Sequence, residues 1–292
     1  MSATVTSEAG WRNIRLEVMD RIERLPSLNN VVMEFLKTAR SDTAGAAEFE
    51  AVIRKDQALV ARLLKVANSG LFGRSRSITS IQQATVLVGL ENLKRLVYAV
   101  SSEGFTLREL AHYDFHPDGG FWRHAMSVAV AAQTVAATAP EGDVDPDEAF
   151  VAGLLHDTGK LVLDEFLTSD PGTPVYLTAE TEAVGLDHCE LGELILKQWD
   201  LPESLCTAVR CSHDHAGAGD WQAQASVLCL ARAVCHGWAI GRNPEPDLDL
   251  DIYFDLLTEP AAVLGIVPGD WDDLVDDIRR GVRAVSDLYG ED

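Results

Sequence analysis

The stretch Asp145-Pro146-Asp147-Glu148-Ala149-Phe150-Val151-Ala152-Gly153-Leu154-Leu155-His156-Asp157-Thr158-Gly159-Lys160 decides the fold class. It opens with a helix N-cap residue, a proline at the first helical position and an acid at the third. An apolar run through Phe150, Leu154 and Leu155 follows, and the segment predicts a helix ending near His156, with Gly159 as a cap just beyond it. Two ionisable side chains, His156 and Asp157, stand side by side where that helix stops.

The same helical reading extends in both directions. Leu28, Val31, Val32, Phe35, Leu36 and Ala39 fall on one helix face, as do Val86, Leu90, Leu93, Val97 and Val100. Phe121, Ala125, Val128, Ala132 and Val135 form a third stripe, and Val227, Leu228, Ala231, Val234, Cys235 and Trp238 a fourth. Asp200-Leu201-Pro202-Glu203 opens a further helix, and Asp270 caps a last one carrying Trp271, Leu274, Val275, Ile278, Val282 and Val285 inward. Strand alternation is nearly absent, so the predicted fold class is all-α with many short helices.

The chain of 292 residues carries 46 acidic and 24 basic side chains, a net charge of −22, with 47% apolar residues. It can bury a full core, and its charge speaks against nucleic acid or an anionic membrane as partner. Residues 244–292 hold 14 acids against 3 bases, half of the net charge. That shift, with the linker Gly241-Arg242-Asn243-Pro244-Glu245-Pro246-Asp247, places an expected boundary near 243. Five cysteines without a C-x-x-C pair predict reduced thiols. With no signal-like N-terminus and no apolar span long enough for a bilayer, a cytoplasmic protein is expected.

The chemistry-bearing side chains are His124, His156, Asp157, His188 and His213, each near the start or end of a predicted helix. Imidazole nitrogens and a carboxylate from different helices can converge on one divalent cation inside a helical bundle. The plainer reading is that the histidines are packed or surface residues. On that reading Asp157 caps a turn and Lys160 offsets a helix dipole. The clusters Arg74/Arg76 and Lys94-Arg95 read as solvated surface, and no glycine-rich phosphate loop occurs.

Several motifs occur in order along the chain: Leu25-Pro26-Ser27-Leu28, Ile53-Arg54-Lys55-Asp56-Gln57-Ala58-Leu59, Leu63-Leu64-Lys65-Val66-Ala67-Asn68-Ser69 and Ile78 through Leu93. Phe121-Trp122-Arg123-His124, Ala152 through Lys160, and Asp187-His188 followed by Trp199-Asp200-Leu201-Pro202 continue the series. Taken together they resemble the HDOD family. The resemblance implies a multi-helix bundle of the HD superfamily over residues 14–240. It divides into an N-terminal helical subdomain (14–112) and an HD-like subdomain (113–240), flanked by a flexible N-terminus (1–13) and an acidic helical extension (241–292). It also implies a regulatory signalling module with a protein partner, a nucleotide being the alternative ligand. The related metal phosphohydrolases use a first histidine, a His-Asp doublet and a later aspartate to hold a divalent ion.

Carried onto this chain, the resemblance makes His124 the first histidine, His156-Asp157 the doublet, Gly159 and Lys160 its followers, and His188 the next histidine. His213 follows Ser212 where relatives often place two histidines. The later aspartate is replaced by Arg232, and the Asp-Gly-x-Gly-Tyr-Pro stretch of the HD-GYP branch is missing, so the expected metal site is degenerate. Arg232 has three readings: it pairs with Asp157, it binds a ligand phosphate together with Lys160, or it faces solvent.

Overall fold

The computed structural model describes residues 8–24, 45–55, 80–89, 110–116, 120–167, 177–241 and 257–287, with the single positions or pairs 38, 59–60, 63–64 and 97. The described helices are α1 (Glu8–Arg24), α2 (Ala46–Ile53), α3 (Ile81–Val88), α4 (Gly120–Thr138), α5 (Pro146–Leu155) and α6 (Lys160–Leu163). They continue as α7 (Leu177–Val184), α8 (His188–Gln198), α9 (Glu203–Arg210), α10 (Gln222–Gly237), α11 (Thr258–Val263) and α12 (Trp271–Asp287). Short 3-10 turns cover His215–Trp221 and Pro268–Asp270. No β-strand occurs among the described residues, and none of their helices is long and apolar enough to cross a membrane.

The centre of the bundle is α4, whose small residues let neighbours approach closely. It packs on α5, α10 and α12. A Cβ on Gly153 of α5 would lie 2.7 Å from the Ala129 Cα of α4, so the two helices cross at backbone distance. The third and fourth sequence stripes become α4 and α10, with Phe121, Ala125, Val128, Ala132 and Val135 buried on the first. Asp145 caps α5 as expected, its carboxylate accepting the Asp147 amide proton at 2.8 Å with Pro146 in the first turn. Glu148, the expected reciprocal partner of that cap, instead accepts from the Ser204 hydroxyl at 3.2 Å and ties α5 to α9.

Two expectations change. The stripe from Val86 to Val100 predicts one helix, but α3 stops at Val88 because Gly89 takes a left-handed φ of 83°. Gly159 is not a left-handed cap: its φ is −60°. A Cβ there would overlap the His188 carbonyl, so glycine is required by the approach of α8 to the turn after α5. The stripe Leu28 to Ala39, most of the proline-rich linker, and the basic pairs Arg74/Arg76 and Lys94-Arg95 lie outside the described residues.

The apolar cluster continues past Gly241. Leu257, Ala261, Leu264, Ile266, Leu274, Ile278 and Val282 join the same core as α4, α5 and α10. On α12 the acids Asp272, Asp273 and Asp276 are exposed, the solvated face of a helix packed by its other side.

Candidate metal centre

The turn after α5 delivers His156 and Asp157 into the interior, where both are buried to within 1% of their surface. His156 Nδ1 lies 2.7 Å from the Gly153 carbonyl. A carbonyl only accepts, so Nδ1 carries the proton and Nε2 presents a lone pair. His124, on the buried side of α4, is held the same way by the Ile240 carbonyl at 3.1 Å. His188, first residue of α8, has its Nδ1 2.7 Å from a carboxylate oxygen of buried Glu180. Three imidazoles from three helices are thus oriented through Nδ1, with Nε2 left over.

All three Nε2 atoms face Asp157. His156 Nε2 is 3.3 Å and His188 Nε2 3.5 Å from Asp157 Oδ1, and His124 Nε2 is 3.9 Å from Oδ2. His156 Nε2, His188 Nε2 and Asp157 Oδ1 are buried without a hydrogen-bond partner. Such orphaned atoms are costly unless something satisfies them. His124, His156 and Asp157 place their donor atoms within 4.8 Å of one another. Neutral nitrogens and one carboxylate oxygen fit a single divalent ion. Of these three donors only Asp157 is anionic, so the set carries one anionic ligand.

The remaining oxygen is taken. Lys160 Nζ donates to Asp157 Oδ2 at 2.6 Å, and the rings of Tyr113 and Phe115 each lie 5.5 Å from the ammonium. Although burial opposes ionisation, the His156 imidazole and this ammonium hold the Asp157 carboxyl well below the usual carboxylate range. Glu180 is likewise lowered: burial opposes, but its hydrogen bonds to His188 win. Burial disfavours a charged His188, yet neighbouring Cys189 and Glu180 push it up to about 10, against the Lys160 ammonium. Tyr113, buried and beside Glu180, is pushed far up, so its hydroxyl keeps its proton and donates to Glu180 at 2.8 Å.

Arg232 does not pair with Asp157, which corrects the first of its three readings. Its Nε donates to the Ser212 carbonyl at 3.3 Å, and the side chain is half-buried. The counter-charge of Asp157 is Lys160, one turn along the same segment. Arg232 instead lies beside His213, an exposed residue whose ring sits 5.1 Å from that of His188. Desolvation on the inner side of the ring and the positive charges of Arg232, His188 and Lys160 push His213 down.

Of the residues expected at a site, His124, His156, Asp157, Lys160 and His188 converge, and His213 borders them at the surface side with Arg232. Glu180 and Tyr113 were not foreseen. In Leu177-Thr178-Ala179-Glu180-Thr181-Glu182 two glutamates look alike, and only packing against Tyr113 and His188 buries one of them.

The comparisons with known proteins agree with this architecture. A protein of Treponema pallidum (strain Nichols) is 27% identical over 209 residues, which are 68% of this chain but 39% of that protein. An HDOD domain protein of unknown function from Geobacter sulfurreducens superposes with a TM-score of 0.74 at 22% identity, over 96% of this chain and 98% of that one. A candidate phosphohydrolase from Shewanella amazonensis SB2B gives 0.67 at 22% identity, over 93% and 97%. The HDOD domain profile matches residues 25–215, well over half of the chain. This protein therefore belongs to the HDOD domain family.

Proposed function

We propose that the chain is a regulatory HDOD module that acts by binding a signalling partner or a small ligand and does not turn over a phosphoester. The observation that carries this reading is the Lys160 ammonium on Asp157 Oδ2 at 2.6 Å. It neutralises the one carboxylate among the convergent donors, while a guanidinium, Arg232, stands where the resemblance expects a second carboxylate. A divalent ion held by His124, His156 and Asp157 would polarise a phosphoryl oxygen or a bound water, but it would do so with little anionic support from the protein. The residues themselves hold their positions through Gly153, Ile240 and Glu180, which keeps the shape of a site without completing its charge.

The test is an assay of the full chain with added Mg²⁺, Mn²⁺, Fe²⁺ or Zn²⁺ against cyclic dinucleotides and a chromogenic phosphodiester. No turnover above background is expected. Hydrolysis that disappears in His156→Ala overturns the reading. A metal-dependent phosphohydrolase is the second reading, favoured by the three Nε2 atoms that point inward with their Nδ1 atoms fixed. The neighbour from Shewanella named as a candidate phosphohydrolase shares the fold at 22% identity, which carries no activity over.

A further inference from the structure

Outside the His-Asp cluster, the acidic end of the chain forms a groove of about 220 Å³ between α11 and the start of α12. Its floor is Leu257, Ala261 and Ile266, which belong to the main core, and Val267, Pro268 and Trp271 line it further. A residue before proline is pushed to extended backbone. Val267, with φ −99° and ψ 158°, is left 55% exposed there, while Leu264 and Ile266 are buried. The groove stands on a fixed base. Helix α11 packs on α10 and α12 on α4, and the Glu141 amide donates to the Leu264 carbonyl at 3.1 Å in the turn between them. Gly265 makes that turn with a φ of 69°, and a Cβ there would lie 2.9 Å from the Glu141 side chain.

The surroundings of the groove are acidic. Residues 257–278 contain six acids, Glu259, Asp270, Asp272, Asp273, Asp276 and Asp277, and no Lys, Arg or His. The last two pair with Arg279 and Arg280, whereas Glu259, Asp270, Asp272 and Asp273 are exposed and have no cationic partner among the described residues. We infer that this groove docks a basic amphipathic segment of a partner protein, with one large apolar side chain in the groove and Lys or Arg residues meeting these acids. A cavity of about 150 Å³ accepts benzene, so the groove has room for such a side chain. Charge selects among the occupants. Residues 242–256, which lead into α11, hold five acids and one base, and they would add repulsion at this face. A second copy of the same face or an anionic membrane would do likewise. A cationic segment instead neutralises unpaired carboxylates, and the field of a chain with net charge −22 draws it in. An apolar anchor seated in a groove with charges around it is the form that helix-in-groove recognition takes.

The inference goes beyond the regulatory reading and does not depend on it, since a segment can dock here with or without hydrolysis at the His-Asp cluster. The probe is a synthetic helical peptide of Lys and Leu, with Leu at i, i+3, i+4 and i+7 and one Trp on that apolar face. It is titrated into the full chain by calorimetry. Two controls accompany it: the same pattern with Glu in place of Lys, and a scrambled Lys/Leu peptide of equal charge without an apolar face. Saturable binding of one equivalent is expected for the probe, none for the Glu peptide, and binding weaker by about tenfold or more for the scrambled one. Val267→Lys and Thr258→Lys, at exposed positions lining the groove, each weaken the probe by about tenfold or more. Glu182→Gln changes the net charge by as much as Val267→Lys but on the exposed face of α7, and it leaves binding within about twofold. Circular dichroism checks that each variant is folded. Absence of saturable binding overturns the inference, and so does equal binding by the parent and Val267→Lys, because that pattern reports general charge attraction. Self-association of the chain that Val267→Lys abolishes in sedimentation also overturns it, since the groove then serves a second copy. Phosphoester turnover overturns only the regulatory reading, and loss of peptide binding without turnover overturns only this one.

Discussion

The Lys160 ammonium lies 2.6 Å from Asp157 Oδ2 inside a core that leaves Asp157 1% and Lys160 7% exposed. Removing one partner of such a pair leaves the other charge buried. Lys160→Met is therefore expected to cost about 3–5 kcal/mol in chemical denaturation. A loss below about 1 kcal/mol would show that the pair matters little.

Arg232 serves as the contrast. Its guanidinium is half-buried and its Nε bonds to one backbone carbonyl, that of Ser212. Arg232→Gln is expected to change stability by about 1 kcal/mol or less. Equal losses in the Arg232 and Lys160 variants would mean that the arginine, too, supports the buried carboxylate.

Gly159 separates packing from backbone freedom, because its φ is ordinary and only the His188 carbonyl excludes a side chain. Gly159→Ala is expected to destabilise by at least about 1–3 kcal/mol. Gly269→Ala, with nothing within 4 Å of the added carbon, is expected to fall within about 0.5 kcal/mol of the parent. Thermal unfolding of the two variants side by side decides it.

The site also sets a pH dependence from both directions. Asp157 and Glu180 have lowered pKa values in the folded state, so their stabilisation is full above the unfolded carboxylate range and fades as pH falls through the folded values. His188 is raised from 6.5 to about 10, so its contribution is full below pH 6.5 and is lost as pH rises toward 10. Stability of chelator-treated protein is expected to decline between those two values, and the decline should shrink in His188→Gln. An unchanged slope in that variant would place the titrating group elsewhere.

How much of this was readable in the sequence depended on whether the signal was local. The helix from Pro146 to Leu155 was, because cap, proline and apolar spacing sit within ten residues. His156 and Asp157 were visible as neighbours, and their convergence with His124 and His188 followed once motif order was recognised. Glu180 was not, since nothing near it distinguishes it from Glu182. Its burial is decided by Tyr113, 67 positions upstream. Lys160 was read as offsetting a helix dipole or as joining Arg232 on a ligand phosphate, and pairing with Asp157 was one of three readings given to Arg232, because a replaced carboxylate draws attention to the replacement while an i, i+3 pair within a turn does not.

The end of α10 returns to the start of α4: the His116 amide donates to the Gly241 carbonyl at 3.0 Å, and His124 Nδ1 meets the Ile240 carbonyl 116 positions later in the chain. A chain still being synthesised thus has its His-Asp turn long before it has the carbonyl that orients the first histidine. Until Ile240 has left the ribosome, nothing at that carbonyl can hold the His124 ring, and any ion or partner that reads the oriented site meets only a chain grown past that point.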